Sequence, residues 1–461
     1  MFIHNISSMK ILIKNGVIIT STDQYKADIL VQDGKIARIE NSLPDNLADK
    51  IINVEGKLVL PGGIDPHVHM YLPTPAGPTS DDFESGSKAA LYGGTTTLLD
   101  FVTPSKGQSL TDALKQRINE AKNSLVDYSF HVSPVEWRST TEQEIKDCIN
   151  AGITSFKVYM AYKGTVGLND DDFYKVLQVV GKEGCTVTVH CELGDEVDEL
   201  RNRFVAENHV EPLYHCLSRP AELEAKAVKQ AIELAAKANC TLYIVHVSSK
   251  ESLQYIKDAQ SKGQRVFAET CPHYLLLDDS KYQGDFNQTA PFTISPPLRK
   301  KVDNDALWNA LNEGVIKTVG TDHCPFNLSQ KAAGISDFRK IPNGAGGVEH
   351  RLELLYTYGV LEKRITLNQM VDVFSTQPAK IFGLYPLKGD IKVGSDADIV
   401  IWDPESEQTI SVKAQHQHCD NNMYEGFKTK GKSEFVICRG EIPIKNGNLI
   451  TPETKGTFLK R

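Results

Sequence analysis

The chain has 461 residues, of which 40% are hydrophobic and 24% charged, and this indicates a globular protein with one large domain and a smaller one. Its formal net charge of -8 argues against nucleic acid or an anionic membrane as a partner. No apolar stretch approaches the roughly 20 residues that span a bilayer. No secretory signal is visible, and the nine cysteines lack CxxC spacing, so we expect reduced thiols in a cytoplasmic protein.

The two ends of the chain share one pattern. Residues 9–60 alternate between short apolar strands and turn signals, with Asn15-Gly16 and Asp33-Gly34 as hairpin dipeptides. Residues 394–412 and 434–450 repeat this pattern. We therefore predict antiparallel β structure at both ends, and we expect the two segments to pair into one small β-sandwich.

Between these ends, apolar runs alternate with helical patterns. Strands separated by helices imply parallel pairing with right-handed crossovers. Seven or eight such units without a Gly-rich phosphate loop favour an α/β fold of the (β/α)8 TIM barrel type over an open sheet. The predicted strands are residues 95–101, 128–132, 155–159, 186–190, 242–246, 265–269 and 317–320, and the predicted helices are residues 82–92, 110–122, 141–151, 170–181, 219–238 and 250–262.

These patterns predict a division of the chain into three segments. We expect residues 1–60 to form the N-terminal part of the β-sandwich and residues 61–388 to form the catalytic barrel. Residues 389–461 would supply the C-terminal part of the sandwich and the tail. Residues 1–8 precede the first strand-like run, and we predict that they are an extension ahead of the fold.

An HxH pair, His67 and His69, follows the apolar run of residues 57–60. If that run is a strand, the two imidazoles lie at i and i+2 and point the same way. Pro61 and the paired glycines after it predict a tight turn that ends the run. Imidazole is a common ligand for borderline metals, but an HxH pair alone is weak support for a metal site.

Further polar residues stand in or just after other apolar runs of the barrel. Lys157 lies inside SFKVYM, His190 closes CTVTVH, His246 closes TLYIVH, and Asp322 follows the run of residues 316–320. The C-terminal ends of the strands in a parallel barrel face one mouth, where catalytic groups of this fold gather. Any one of these residues could be a hydrogen-bonded core histidine or a solvated carboxylate. Together with the HxH pair, they predict a metal site.

The number of ligands favours two metals. Four histidines and one aspartate exceed the four ligands of a tetrahedral zinc. Two divalent ions would then face a single carboxylate, Asp322. Lys157 could supply a second anion if burial keeps its amine neutral and the amine adds CO2 to become a carbamate. An ordinary substrate-binding or salt-bridging lysine is the alternative.

Eight motifs resemble one family: PGGIDPHVHM, SFKVYMAYKG, VTVHCE, YIVHVSS, ETCPHYL, ISPPLR, GTDHCPF and IPNGAGGVEH. They look like the cyclic amidases of the amidohydrolase superfamily, in particular the dihydropyrimidinases and D-hydantoinases. The resemblance runs in order over nearly the whole chain, including both terminal β segments, and the set is much more specific than any single HxH.

The resemblance implies a binuclear zinc centre. By matching motifs, one zinc takes His67, His69, N6-carboxylated Lys157 and Asp322, and the other takes the same carbamate with His190 and His246. A hydroxide would also bridge the two metals and attack the ring carbonyl of a cyclic amide or imide.

The resemblance also implies roles for the residues around the metals. Asp322 would accept the proton of the hydroxide and pass it to the leaving nitrogen. Tyr162 would donate to the developing oxyanion, with an aromatic rim residue as the alternative reading. The main chain at Ser295 and Asn343 would bind the CO–NH–CO edge of the ring. We expect His323 to support the site, His273 to pack near the mouth, and Cys191 and Cys324 to be small buried residues.

The implied reaction is the opening of 5,6-dihydropyrimidines or 5-monosubstituted hydantoins to N-carbamoyl amino acids. Dihydroorotases place an arginine two residues after HxH, where this chain has Tyr71, so a carboxylated ring is disfavoured. Residues 70–78 resemble the loop that contacts the exocyclic substituent. An allantoinase and a non-catalytic scaffold of the collapsin-response type remain as alternatives. The family further implies a homotetramer or homodimer.

Overall fold

The N-terminal part of the chain contributes strands to two sheets. The structure is a computed structural model that describes residues 9–452 and 454–461. Residues 1–8, predicted as an extension, lie outside the described residues. The strands are β1 Ile11–Lys14, β2 Val17–Ile19, β3 Gln24–Lys26, β4 Asp28–Gln32, β5 Lys35–Glu40, β6 Lys50–Asn53 and β7 Leu58–Pro61. The first sheet has the order β5-β4-β1-β6.

Two expectations for this region need correction. The first sheet is mixed, because β1 pairs antiparallel with β4 and parallel with β6. Asp33-Gly34 does connect an antiparallel hairpin, since β4 pairs with β5 on either side of it and both residues have positive φ. Asn15-Gly16 is not a hairpin turn, because it joins β1 to β2 and these strands lie in different sheets.

Eight parallel strands follow one another around the centre of the fold in chain order. They are β8 Gly63–Val68, β9 Thr95–Val102, β10 Asp127–Val132, β11 Ser155–Tyr159, β12 Thr186–His190, β13 Thr241–Ile244, β14 Val266–Thr270 and β15 Thr318–Val319. The backbone N–H of His69 donates to the carbonyl of His323 at 2.8 Å, and a parallel bridge between Val68 and His323 closes the ring. The predicted (β/α)8 barrel is confirmed.

Helices alternate with these strands and cover the barrel. Helix α4 shows the physical basis: Asn169 caps its first turn, and Phe173, Val176 and Val180 form its buried face. The helices are α1 Phe83–Tyr92, α2 Leu110–Glu120, α3 Thr141–Asn150, α4 Asp170–Lys182, α5 Gly194–Ala206, α6 Pro212–Leu217, α7 Ala221–Ala238, α8 Lys250–Ser261, α9 Pro272–Leu276, α10 Phe286–Thr289, α11 Lys301–Asn312, α12 Leu328–Lys331, α13 Arg351–Leu354, α14 Leu367–Val371 and α15 Gln377–Ile381, with π-helical segments at Leu355–Leu361 and Asp372–Thr376.

The C-terminal strands are β16 Ile399–Thr409, β17 Lys428–Cys438, β18 Glu441–Lys445 and β19 Asn448–Leu449. They join N-terminal strands in one sheet of order β19-β18-β17-β16-β7-β2-β3. Ile11, Val59 and Ile399 belong to one buried cluster between the two terminal sheets. Both ends of the chain therefore build one β-sandwich beside the barrel, as predicted. Within the described ranges 9–452 and 454–461, no helix has the length and apolar character needed to span a membrane.

The strand ahead of the HxH pair differs from the prediction. The apolar run there is β7, which pairs antiparallel with β16 of the terminal sheet, whereas the histidines follow a separate barrel strand, β8. Gly62 does not form a tight turn; it carries the extended chain from one sheet to the next. A Cβ at Gly62 would lie 2.2 Å from Thr96 Oγ1, and one at Gly63 would lie 2.2 Å from the Phe374 ring. These glycines therefore permit close packing.

Candidate metal centre

All nine residues predicted for the site line one cavity of about 760 Å³ at the C-terminal ends of the barrel strands. The structure thus brings together residues that are as far apart as 276 positions in the chain, from His67 to Asn343. They are His67, His69, Lys157, Tyr162, His190, His246, Ser295, Asp322 and Asn343.

The HxH pair meets Asp322 in this cavity. His67 lies in β8 and His69 follows it, and the Nε2 atoms of both imidazoles are 3.1 Å from Asp322 Oδ1. Burial alone would raise the pKa of Asp322, but His67 and His69 hold it well below its usual value. Asp322 is therefore an anion at the centre of the site.

The second pair of imidazoles lies across the cavity. His190 is the last residue of β12, and its Nδ1 is 2.9 Å from Nε2 of His246, which follows the end of β13. Burial lowers the pKa of both rings, for His246 well below its usual value. Neutral imidazole is the form that binds a metal.

Backbone strain is concentrated at this site. His246, Asp322 and Tyr162 have φ values of 40°, 49° and 61°, in the left-handed region that non-glycine residues seldom adopt. Each of these residues follows a barrel strand at the point where the chain turns across the mouth. Such strain persists only where surrounding contacts fix it, and it is typical of functional sites.

Lys157 lies within β11 with only 1% of its surface exposed. Its Nζ is 4.9 Å from the ring centroids of Phe101 and Tyr159. Burial lowers the pKa of its amine to about 8, although Asp322 and Glu269 act in the opposite direction. An appreciable share of this amine is therefore neutral near neutral pH, as carbamate formation requires.

Sequence reasoning assigned no role to two buried carboxylates, Glu269 and Glu192. Glu269 Oε1 is 2.7 Å from His67 Nδ1 and accepts the backbone N–H of His246 at 3.1 Å. Glu192 Oε2 is 2.7 Å from His190 Nε2 and accepts from Arg219 at 2.6 Å. Burial opposes ionisation of Glu192, but Arg219 and His190 lower its pKa to about 2. The signal that could have identified both glutamates in the sequence is their position at or just after the end of a buried strand.

These carboxylates determine which ring nitrogens are free. Since Glu269 engages Nδ1 of His67 and Glu192 engages Nε2 of His190, the opposite nitrogens face the cavity. Ligand atoms of His67, His246 and Asp322 lie within 4.8 Å of one another. Burial lowers the pKa of His67, yet Asp322 and Glu269 raise it to about 9, so the surroundings favour a cation. Imidazole and carboxylate ligands fit zinc or a similar divalent metal.

The residues predicted to bind substrate lie around the same cavity. The Tyr162 ring is 5.5 Å from the His190 ring between centroids, and the guanidinium carbon of Arg219 lies 5.5 Å from the centroid of the Tyr162 ring. Ser295 and Asn343 lie on two segments joined by a hydrogen bond from Gly344 N to Thr293 O at 3.0 Å. Both residues line the cavity.

The remaining histidines and cysteines near the mouth differ in their contacts. His323 Nε2 is 3.0 Å from Asp81, and its Nδ1 accepts the backbone N–H of Gly347, so this ring fixes local structure. Among the described residues, Nε2 of His273 has no hydrogen-bond partner, and burial lowers the pKa of this ring to about 4. Cys191 and Cys324 are buried, as expected, and burial raises their thiol pKa values.

Comparisons with known proteins identify the family of the chain. The model of the Amidohydrolase family matches residues 58–442. A D-hydantoinase of Geobacillus stearothermophilus is 44% identical over 453 residues, which cover 98% of this chain and 96% of the relative. A dihydropyrimidinase of Arabidopsis thaliana is 38% identical over 457 residues, which cover 99% of this chain and 86% of the relative.

A solved structure gives the same result for the fold. The crystal structure of a dihydropyrimidinase from Brevibacillus agri superimposes with a TM-score of 0.96 at 42% identity, covering 98% of this chain and 99% of the other. Family and fold thus agree over almost the full length of both proteins. The chain therefore belongs to the amidohydrolase family, in its D-hydantoinase and dihydropyrimidinase branch.

Proposed function

We propose that this cyclic amide hydrolase opens 5,6-dihydropyrimidines, 5-monosubstituted hydantoins, or both, to N-carbamoyl amino acids. The observation that carries the proposal is the single cavity in which the histidines, Lys157 and Asp322 converge beside Tyr162. Relatives named D-hydantoinase and dihydropyrimidinase at 38–44% identity support this substrate class. A non-catalytic scaffold does not need such a set of residues.

The residues of the cavity fit two zinc ions. His67, His69 and Asp322 would hold one, His190 and His246 would hold the other, and carboxylated Lys157 would serve both. When bound, the metals would supply Lewis acidity and lower the pKa of water so that it is a nucleophile at neutral pH. Glu269 and Glu192 would keep the ligand imidazoles in the required tautomer.

Carboxylation of Lys157 follows from its burial. The neutral amine attacks the carbon of CO2, a C–N bond forms, one C=O electron pair moves to oxygen, and a proton is lost from nitrogen. The product carries a negative charge where the amine carried none, and it offers two oxygen ligands. A pKa of about 8 supports this reaction, because an ordinary lysine is almost fully protonated at pH 7.

The other residues of the site would move protons and bind the ring. Asp322 would accept a proton from the attacking water at its carboxylate and return it to the leaving ring nitrogen. Tyr162 would donate its hydroxyl hydrogen to the oxygen that gains charge. Backbone groups at Ser295 and Asn343 would pair with the CO–NH–CO edge. Residues 72–76 supply an apolar rim for the exocyclic substituent.

The test of this function is ring opening of dihydrouracil, 5-phenylhydantoin and allantoin in parallel. The protein would be loaded with zinc in bicarbonate, with a chelator-treated sample as the control. We expect metal-dependent turnover of dihydrouracil or 5-phenylhydantoin, and their ratio assigns the preferred ring. Turnover of allantoin alone would contradict the proposal in favour of an allantoinase.

A first prediction concerns Lys157→Ala. This change removes the shared anionic ligand, so we expect activity to fall by more than about 1000-fold, with partial recovery when a short carboxylic acid is added. Ring opening measured with and without added acetate or propionate checks it. Lys163→Ala, which removes an exposed lysine paired with Asp195, should retain activity. Full activity of Lys157→Ala without added acid would rule out the carbamate.

We also propose that the enzyme is a cytoplasmic homotetramer or homodimer. The predicted division into residues 1–60, 61–388 and 389–461 belongs to the same proposal, with the terminal segments folding as one unit. Light scattering of the purified chain measures the mass of the assembly against the 51.1 kDa of one protomer. A protomer mass at micromolar concentration would contradict the assembly.

A further inference from the structure

Lys331 is a fully buried lysine that contacts two segments of the chain that line the cavity. It is the last residue of α12, and its side chain has no exposed surface. Nζ donates to three backbone carbonyls, those of Thr293 at 3.2 Å, Pro342 at 3.1 Å and Gly344 at 2.8 Å. An ammonium group has three hydrogens, so each is matched by one acceptor.

The three carbonyls belong to two segments that the proposed function uses for ring recognition. Thr293 lies two residues before Ser295, and Pro342 and Gly344 flank Asn343. The backbone N–H of Gly344 also donates to the Thr293 carbonyl at 3.0 Å. Lys331 therefore joins the two segments next to the residues that line the cavity.

A charge in this position is costly for folding. In the part of the chain that the structure describes, no carboxylate acts on the charge of Nζ, and the centroid of the Phe326 ring lies 5.8 Å from it. Burial lowers the pKa of Lys331 to about 8, with only the thiols of Cys419 and Cys324 acting against it. An apolar side chain would avoid the loss of hydration but would leave the three carbonyls without this donor, so the ammonium is explained by the carbonyls that it joins.

We propose that Lys331 is a positioning residue for ring recognition, which fixes the spacing between the backbone groups at Ser295 and Asn343. The inference rests on the proposed function for its substrate. Without the ammonium, the three carbonyls lose a donor, and among the described residues the Gly344–Thr293 hydrogen bond is left to join the two segments. The ring edge then meets a less ordered wall, while the metal ligands on the barrel strands keep their places.

The test is Lys331→Met, which keeps the length of the side chain and removes the donor. We expect KM to rise about tenfold for both unsubstituted hydantoin and 5-phenylhydantoin, because both share the ring edge, while kcat changes less than about threefold. Lys257→Met is the matched control, because Lys257 is an exposed lysine on α8 and does not line the cavity. It removes the same charge without touching the carbonyls, and its KM should equal that of the native chain.

A second measurement does not depend on activity. Hydrogen exchange of the Gly344 amide should accelerate at least tenfold in Lys331→Met and should not change in Lys257→Met. Unchanged KM and unchanged exchange in a folded Lys331→Met would overturn the inference. A native chain that opens no ring would refute the proposed function, and the exchange result would then decide the role of Lys331 alone. If Lys331→Met does not fold, Lys331→Gln, which keeps two donors, should give smaller changes in the same direction.

Discussion

The orientation of imidazole rings in this site depends on carboxylates on the side of the ring away from the cavity. The ring of His67 lies between Asp322 on one side and Glu269 on the other, with contacts of 3.1 and 2.7 Å. Glu269 also accepts the hydroxyl of Tyr243 at 2.8 Å, so its own orientation is fixed. When a carboxylate accepts the Nδ1–H of an imidazole, Nε2 of the same ring keeps its lone pair, which is directed at the metal position.

The residue-scale prediction is Glu269→Gln. An amide can donate to His67 Nδ1 as well as accept from it, so the ring is no longer held in one tautomer. We expect zinc affinity to fall about 10- to 100-fold, with the fold intact. Competition against a fluorescent chelator measures the affinity directly.

Glu349→Gln is the matched control for this experiment. Glu349 makes the same kind of contact, with Oε1 2.6 Å from Nδ1 of His416, on a partly exposed surface outside the cavity. Zinc affinity should be unchanged in this variant. Native zinc affinity in Glu269→Gln would show that the carboxylate does not select the tautomer.

At the scale of secondary structure, the sequence predicts the barrel strands closely and the terminal sheets less well. β11 and β12 begin and end where predicted, because turn residues bound a short buried apolar run on each side. The prediction for the strand ahead of the HxH pair was wrong, because β7 and β8 are separated by Gly62 alone. The alternation of side chains along a strand does not show that the chain passes from one sheet to another.

Site residues were predictable for a related reason. A polar residue that ends an apolar run is visible in the sequence, and barrel topology brings all such ends to one mouth. Glu269 and Lys331 were not predicted, because their roles depend on partners more than 10 residues away in the chain, His67 and Gly344. Only folding shows that these groups meet.

Helix α12 provides an element-scale prediction, because it contacts the rim as well as the ring-binding segments. Gln330 Nε2 donates to the carbonyls of Ala76 and Pro78, at 3.2 and 2.8 Å. Gln330→Ala releases this rim, so we expect kcat/KM for 5-phenylhydantoin to fall about fivefold relative to unsubstituted hydantoin, whose ring carries no group that reaches the rim. Parallel assays of the two substrates give the ratio.

The control for this variant is Gln116→Ala, which truncates an exposed glutamine on α2. Both substrates should be processed as by the native chain. If Gln330→Ala reduced the turnover of both rings equally, the rim would not select the substituent.

Across the whole molecule, Asp127 connects the barrel with the C-terminal part of the chain. It is the first residue of β10, at the barrel end opposite the cavity, and it contacts Lys388 at 2.6 Å and Arg439 of the terminal sheet at 2.5 Å. It also accepts the backbone N–H of Thr457 at 2.9 Å. Burial alone would raise the pKa of Asp127, but Lys388 and Arg439 lower it below its usual value.

This junction gives the whole-molecule prediction, Asp127→Asn. The change removes the anion that buried Lys388 and partly buried Arg439 share, while Lys388 keeps Asp398 at 2.8 Å, so we expect the free energy of unfolding at pH 7 to fall by about 2 kcal/mol. Because the folded-state pKa is depressed, the contribution of Asp127 is fully present above the unfolded pKa of about 3.9 and is lost as pH falls through the folded value. Urea denaturation of both proteins at pH 7 and pH 4 should show that the difference in unfolding free energy becomes smaller in acid.

The control is Asp305→Asn, which removes an exposed partner of Lys301 and should change the unfolding free energy measurably at neither pH. Since the junction lies opposite the cavity, kcat and KM of Asp127→Asn should be native wherever the variant is folded. A difference that grows with acid would mean that Asp127 is protonated in the folded protein.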